Sequence, residues 1–332
     1  MIYTDRIYGK IKITEPAILE LINCPSIQRL KGIDQAGYPK PWFPGNPRTR
    51  FEHSMGVFIL LKKHDAPLEE QVAGLIHDVS HLAFSHAIDY VVGKKDQGKR
   101  LDYQDSIFDD FVRSSEIPGI LNKYNFDLDY ILNEKNFPLK ENDLPDICAD
   151  RIDYFLRDIF AFGIIDRKTL DSYLDNLISI DKKYWAFKNF KIAKSFAESF
   201  MRFDDNYYSG NLTAIMFATI ANYLKYSLDK KYVAKKDFYK TDREVLDKIY
   251  KHLDKDLRLK SLFDAMNNKI HYKIYRKKPK KYDNHLFCKS RAVDPLCISR
   301  GKLKRVSEID QAFGNTLRKY LKPKEYFIQF EK

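Results

Sequence analysis

Cysteine is scarce in this chain. Four residues, Cys24, Cys148, Cys288 and Cys297, are spread over 332 positions, and no two form a CxxC pair. This excludes a disulfide-stapled scaffold and a cysteine-based zinc site, and it suits reduced thiols in the cytoplasm. Long apolar runs are missing too, and nothing approaches the roughly 18 residues of a membrane span. The opening residues, MIYTDRIYGKIKI, carry charge from the fifth position and lack the apolar centre of a signal peptide. The expectation is a cytoplasmic protein with no membrane partner. Internal repeats and low-complexity tracts are absent, which argues against a solenoid or a disordered tail. Acidic residues are outnumbered, with 46 Asp and Glu against 58 Lys and Arg, for a formal charge of +12. Anionic partners such as nucleotides, nucleic acid or acidic surfaces fit that balance, and so does a merely solvated basic surface.

What remains is ordinary globular composition, with 44% hydrophobic residues, 22 Tyr and 23 Phe. GKIKI (9–13) alternates like a strand. GYPKPWFPGNPRTR (37–50) holds four prolines and two glycines and must be a loop. Helical periodicity then predicts a helix from about 51 and another from Leu68 to Val92. KKDQGKR forms a loop, and further helices are expected at 103–114, 144–162, 168–178, 190–228 and 241–266. KKYWAFKNF (182–190) fits a turn or a short strand. After about 268 the pattern alternates around a basic turn, RKKPKK, and suggests a hairpin or small sheet. SEIDQAFGNTLRKYL is expected as one helix and EYFIQFE as a closing strand. The fold class expected is mainly α, a helical domain over 1–230 with an α+β extension over 231–332 packed on it. RKKPKK itself reads either as a solvated hairpin turn or as a phosphate-contacting patch.

Histidine is concentrated. Five of the eight histidines fall between 53 and 86, three of them in GLIHDVSHLAFSH (74–86). On a continuous helix His77 and His81 would share a face, beside a stripe of Asp78, His81, Ser85 and Asp89. An antiparallel neighbour could bring His53 beside His77 and Asp78. A lone buried histidine is more often a core residue than a ligand, but this density favours a metal or catalytic site. Imidazole nitrogens with carboxylate oxygens suit a divalent first-row metal. A second cluster, ADRIDYFLRD (149–158), places Asp150, Tyr154 and Asp158 at i, i+4 and i+8 on one helical stripe. Without a ligand, the same residues would be a helix laced with Arg–Asp pairs.

Together, RFEHSMGV, HDVSHLAFSH and DRIDYFLRD resemble the HD-domain metal-dependent phosphohydrolases, and in particular their deoxynucleoside triphosphate triphosphohydrolase branch. IYGKIKI, PSIQRLKGIDQAG, WFPGNPRTR and CKSRAVDP have counterparts there too, so the resemblance covers most of the chain and is weakest over 160–270. It implies a helical bundle, one divalent metal (Mn, Fe, Ni or Mg) held by His53, His77, Asp78 and Asp150, and a nucleotide substrate. Four protein ligands plus a water favour octahedral metals over tetrahedral zinc. The resemblance implies Gln35 at the base or sugar and Arg50 and Arg151 at phosphate. His81, His86 and Asp89 would surround the scissile phosphate, with His81 or Asp89 moving protons and Asp89 orienting His81. Tyr154 and Asp158 would hold the sugar 3′-hydroxyl, with Tyr207 or, equally, Tyr208 as a further sugar contact. It also implies a homo-oligomer.

Two departures stand out. The branch carries a histidine in an HExxS-like motif after the HD segment, where this chain reads LDYQDSIFDDF, with Asp102, Tyr103 or Gln104 in its place. Its usual GHGPFSH is here SHLAFSH. Beside hydrolysis of dNTPs to deoxynucleoside and tripolyphosphate stand two other readings. One is an HD-type nuclease, phosphodiesterase or nucleotidase, with nucleic acid as partner, although no interleaved aromatic and basic stripe is evident in the sequence. The other is a regulator that binds nucleotide without turnover.

Overall fold

The structure, a computed structural model, describes residues 1–45, 48–92 and 103–331. Asp102 and the expected loop KKDQGKR lie outside the described residues. The chain opens with an antiparallel hairpin, Ile2–Asp5 with Gly9–Lys12, so the expected GKIKI strand has a partner just before it. Helices Pro16–Asn23 and Pro25–Arg29 each start on a proline, whose fixed φ and missing N–H suit the first helical position.

The centre of the molecule is the helix Arg50–Lys63. A capping box starts it: Thr49 Oγ1 accepts from the Glu52 amide at 3.2 Å, and Glu52 Oε2 accepts from the Thr49 amide at 3.0 Å. Phe51 and every residue from His53 to Leu61 are buried. Leu68–Ile76 and Ala149–Ala161 pack along it.

The expected helix from Leu68 to Val92 does not run through. It stops at Ile76, and the chain continues through turns to a 3-10 segment, Ser85–Ile88, and a short helix, Asp89–Val92. Phe84 and Ser85 take φ of 65° and 44°, values no right-handed helix contains. Hydrogen bonds from elsewhere hold this loop. The Ala83 amide donates to Phe238 O at 2.8 Å, and the Phe84 amide donates to Asp242 Oδ1 at 2.7 Å. Arg29 Nη2 reaches Val79 O at 2.6 Å and His81 O at 2.8 Å.

The expected helix 190–228 is likewise two, Phe190–Phe203 and Asn211–Asp229, joined by a π turn over Asp204–Tyr208. A Cβ on Gly210 would lie 2.2 Å from Asn206 O, so the tight exit from that turn requires glycine. The 241–266 segment divides into Asp242–Tyr250 and Leu257–Met266, and SEIDQAFGNTLRKYL divides at Asp310, which caps the second piece. Short helices Ile117–Lys123 and Leu128–Leu132 were not expected.

Two further sheets complete the fold. One is ordered Leu177–Ile180, Tyr184–Phe187, Leu296–Ser299, Lys302–Arg305, with a parallel central pair, Ala186↔Leu296 and Phe187↔Cys297. It joins strands from either side of residue 230. The other is antiparallel, with the closing strand Lys324–Phe330 between Tyr272–Tyr275 and Asn284–Cys288. Among the described residues no helix is long and apolar enough to cross a membrane. The mainly α architecture with a smaller α+β part agrees with the expected fold class. Among the described residues two large apolar clusters form most of the core, one around Arg50–Lys63, the other joining Asn211–Asp229 to the inner face of the three-stranded sheet, with a small third of Ala214, Cys288 and Tyr326. The site lies where the two large ones meet.

Candidate active site

Three elements bring the acids and imidazoles together. His53 sits one turn into its helix, fully buried. His77 follows the last helical residue, Ile76. Its Nδ1 lies 2.8 Å from Gly74 O, so the N–H is on that nitrogen and the Nε2 lone pair points inward. Asp150 is in the first turn of Ala149–Ala161, where a helix dipole favours a carboxylate.

The donor atoms converge. His53 Nε2 is 2.8 Å from Asp150 Oδ1 and 3.2 Å from His77 Nε2. His53, His77 and Asp150 each offer a donor atom within 4.8 Å of the others. Asp78 closes the group, with Oδ1 3.5 Å from His77 Nε2 and Oδ2 3.8 Å from His53 Nε2. Metal–ligand bonds of about 2.1 Å span such separations. Burial would raise the pKa of Asp78, but Arg50, then His77 and His81, hold it well below the ordinary value. Burial opposes ionisation of Asp150 too, but His53, hydrogen-bonded to it, and then the neighbouring His77 drive its pKa well down. Burial would lower the pKa of His53, but Asp150 and Asp153 on its two nitrogens outweigh that and raise it to about 10. The mixed imidazole and carboxylate set fits a divalent metal.

Sequence reasoning passed over the residue that orients this group, Asp153. It is fully buried, and its Oδ2 lies 2.8 Å from His53 Nδ1. Arg157 donates to both its oxygens, Nε at 3.1 Å and Nη2 at 2.8 Å, and Nη2 also donates to Asp5 Oδ2 at 3.1 Å. This buried chain fixes the ring so that Nε2 faces Asp150, the role outer carboxylates play behind metal-bound imidazoles. The signal available was Gly56 in RFEHSMGV: a Cβ there would lie 1.9 Å from Asp153 Oδ1 and 2.2 Å from Arg157 Nη2.

The cluster opens into a cavity of about 920 Å³, at the upper end of the range for small-molecule sites. Gln35, Arg50, His77, Asp78, His81, His86, Asp150, Arg151, Tyr154, Asp158, Tyr207 and Tyr208 all line it. His53 lies beneath its floor, and Asp89 is buried beside it.

Several side chains are engaged differently from expectation. Arg50 donates to Ser85 Oγ at 3.0 Å, Asp78 Oδ2 at 2.8 Å and Gln35 O at 3.0 Å, so it braces Asp78 rather than standing ready for phosphate. Arg151 donates to Asn142 O at 3.2 Å, Asp146 O at 2.8 Å and Cys148 Sγ at 3.1 Å. The carboxylate on His81 is Asp78, 3.2 Å from Nε2, and Asp89 lies instead 3.6 Å from His86 Nδ1. The turn after Ile76 rotates His81 off the line a continuous helix would have given it. Burial and then Arg50 lower the pKa of His81 to about 3, and the same two influences lower that of the more exposed His86.

At the other end, Asp158 accepts from Tyr208 Oη at 2.8 Å and sits 2.9 Å from Arg48 Nε. Tyr207 does not reach this carboxylate. Its ring stacks on Phe203 at 4.4 Å and meets Phe162 at 4.6 Å. The buried Gln35 Oε1 has no partner among the described residues. Gln104 and Asp105 line the cavity near the position of the missing imidazole. Lys140, Lys289 and Arg291 also line it and were not nominated from sequence. CKSRAVDP was noted as a segment, but only the fold brings it to this wall from more than 130 residues away.

No model of a known protein family matches the chain. It is 36% identical over 247 residues to an uncharacterized protein, YdhJ, of Bacillus subtilis, spanning 73% of each chain. It is 41% identical over 161 residues to the metal-dependent phosphohydrolase cns2 of Cordyceps militaris, covering 48% of this chain and 45% of that one. To the deoxynucleoside triphosphate triphosphohydrolase SAMHD1 of Mus musculus it is 29% identical over 210 residues, covering 49% of this chain and 32% of the relative. The match thus spans less than half of these two functionally named relatives. A solved phosphohydrolase from Bacteroides thetaiotaomicron superposes with a TM-score of 0.72 at 14% identity over 100% of this chain and 99% of that one, which supports the fold. The chain belongs to the HD-domain phosphohydrolase superfamily.

Proposed function

We propose that this protein hydrolyses a nucleotide phosphate ester in the cavity, and that its substrate is a deoxynucleoside triphosphate, released as deoxynucleoside and tripolyphosphate. The observation that carries this reading is the juxtaposition of the His53–His77–Asp78–Asp150 group with the hydrogen-bonded pair Asp158–Tyr208 and with Tyr154 at one cavity.

His53, His77, Asp78 and Asp150 would hold a divalent metal, with Mn, Fe, Ni and Mg as candidates. Such an ion supplies an acidified water and neutralises charge on phosphoryl oxygens. Asp153 and Gly74 O fix the two rings so that both Nε2 atoms face the centre. Arg50 keeps Asp78 ionised and still. His81, neutral and donating to Asp78 through Nε2, keeps Nδ1 as a proton acceptor. His86 lies on the cavity wall, with its ring centroid 5.2 Å from that of His81, and its N–H would meet a phosphoryl oxygen of the substrate. Lys289 and Arg291 would take the far phosphates. The Phe203–Tyr207 stack offers a flat face to sugar or base, and Gln35 Oε1 an acceptor.

The test is turnover by purified protein with each metal on dNTPs, NTPs and monophosphates, with Asp78→Ala as blank and products separated by ion-pair chromatography. Tripolyphosphate from dNTPs is expected. Orthophosphate from monophosphates would move the protein to the nucleotidases. Tight nucleotide binding with no turnover under any metal would overturn the enzyme reading.

A further inference from the structure

We propose that the outer face of the three-stranded sheet, with its basic hairpin, is a binding track for single-stranded nucleic acid that leads to the rim of the cavity. The inner face of this sheet, Ile274, Leu286 and Ile328, packs into the core. Alternation along the strands therefore turns Tyr275, His285, Phe287 and Phe327 to the other face. Pairing sets His285 opposite Phe327 and Tyr275 opposite the same Phe327. The His285 and Phe327 rings are parallel within 4° at 4.4 Å, Tyr282 meets Phe327 edge-on at 5.1 Å and 73°, and Phe287 lies 4.7 Å from His285, tilted by 57°. These rings form one row. At one end is the hairpin tip. At the other, Phe287, Cys288 and Lys289 line the cavity. A strand advances about 3.4 Å per residue, so His285 is roughly 10 Å from that rim.

The tip supplies the charge. Arg276, Lys277, Lys278, Lys280 and Lys281 are all exposed. The ion pairs of this sheet, Lys273–Glu331, His285–Glu325 and Lys324–Asp205, leave all five out. Lys278 lies 6.0 Å from the Tyr282 ring on the side of the aromatic row, whereas Arg276 sits 4.4 Å from the ring of Tyr326, a residue of the inner face. Cross-strand packing accounts for Phe327, which is buried. It does not account for Tyr282, 38% exposed beside lysines that form no ion pair among the described residues. Exposed rings such as Tyr282 and His285 beside cations suit a single strand, because bases stack on rings and phosphates meet cations. A membrane surface would use the cations but have no use for stacking rings. The interleaved stripe that could not be seen in the sequence is thus assembled by strand pairing.

The test is fluorescence anisotropy on the full chain with labelled single-stranded dT and U 20-mers, a blunt duplex, and phosphatidylserine vesicles, between 50 and 300 mM salt. No turnover is needed, so the result is independent of the proposed reaction. Single strands should bind better than duplex or vesicles. Replacing Lys277, Lys278, Lys280 and Lys281 by Ala should flatten the slope of log K against log salt by about 3. Tyr282→Ala and His285→Ala should each weaken binding by about 5- to 150-fold with the salt slope kept. Melting temperature and nucleotide turnover of each variant, none of them in the cavity, control for folding. Equal binding of duplex, preference for vesicles, or loss with the lysines but not the rings would each overturn the proposal.

Discussion

Gly56→Ala is the sharpest check on how the metal group is built. In a helix interior this change ordinarily stabilises by about 1 kcal/mol. Here the new Cβ would lie 1.9 Å from Asp153 Oδ1 and 2.2 Å from Arg157 Nη2. Ordinary contact needs about 3.4 Å or more, so the carboxylate must retreat by about 1.5 Å. Asp153 has no room to do so while keeping His53 at 2.8 Å and Arg157 at 2.8 Å. Disrupting a buried ion pair costs about 3–5 kcal/mol. After the propensity gain, the expected net loss is about 2–4 kcal/mol. Unfolding entropy of about 2.1 cal/mol/K per residue converts this to a fall in Tm of about 3–6 °C for 332 residues. Differential scanning calorimetry on the metal-free protein reads the first effect. Titration with Mn reads the second, an affinity about 10- to 100-fold lower because His53 loses its orienting carboxylate. A variant that melts at or above the wild-type temperature would show that the Asp153–Arg157 pair is neither as tight nor as important as described.

Other outcomes follow from neighbouring contacts. Asp153→Asn, nearly isosteric, should weaken Mn binding by about 10-fold or more in the same titration; unchanged affinity would remove Asp153 from the site. Tyr208→Phe deletes the hydrogen bond to Asp158 and should raise KM for a deoxynucleotide about 5-fold, the worth of one hydrogen bond. Tyr207→Phe, which keeps the stacked ring, should change KM less than about 2-fold; the reverse order would exchange their roles. Burial raises the Asp242 pKa to about 7 despite the amides of Asp34 and Phe84 donating to it. The folded protein therefore holds a proton that the unfolded chain loses near its ordinary value of about 4. Stability should fall as pH climbs from about 4 to 7 and level off above. Melting curves across that window should show the decline, and Asp242→Asn should flatten part of it; parallel profiles for the two proteins would refute the assignment.

Residue type made the heart of the site legible. Histidines and aspartates crowded into 53–86, with Asp150 on a separate stripe, pointed to the cluster the structure assembles. Its mechanics were not legible. LAFSH has no glycine or proline, so periodicity ran on past Ile76, while the actual stop depends on acceptors at Phe238 and Asp242, more than 150 residues later. Asp153 looked like one half of an ordinary i, i+4 pair with Arg157, because a helix shows only its own neighbours and not the imidazole behind it. Lys289 and Arg291 belong to the wall only because the segment after Asn284–Cys288 turns inward. His285 and Phe327 alternate with core residues and meet each other and Tyr282 only when two strands pair.

The distribution of the cavity's parts along the chain has a consequence during synthesis. Every candidate metal ligand, with Asp5 and Arg157 behind them, has been made by residue 157, whereas Arg291 arrives 134 residues later. At 5–20 residues per second that interval is about 7–27 s. Phe238 and Asp242, which hold the loop after His77 and Asp78, are made between those two points, so the floor is fixed only once that segment has docked. Lys289 and Arg291 come later still, so loading of an ion on the floor can precede completion of the far wall.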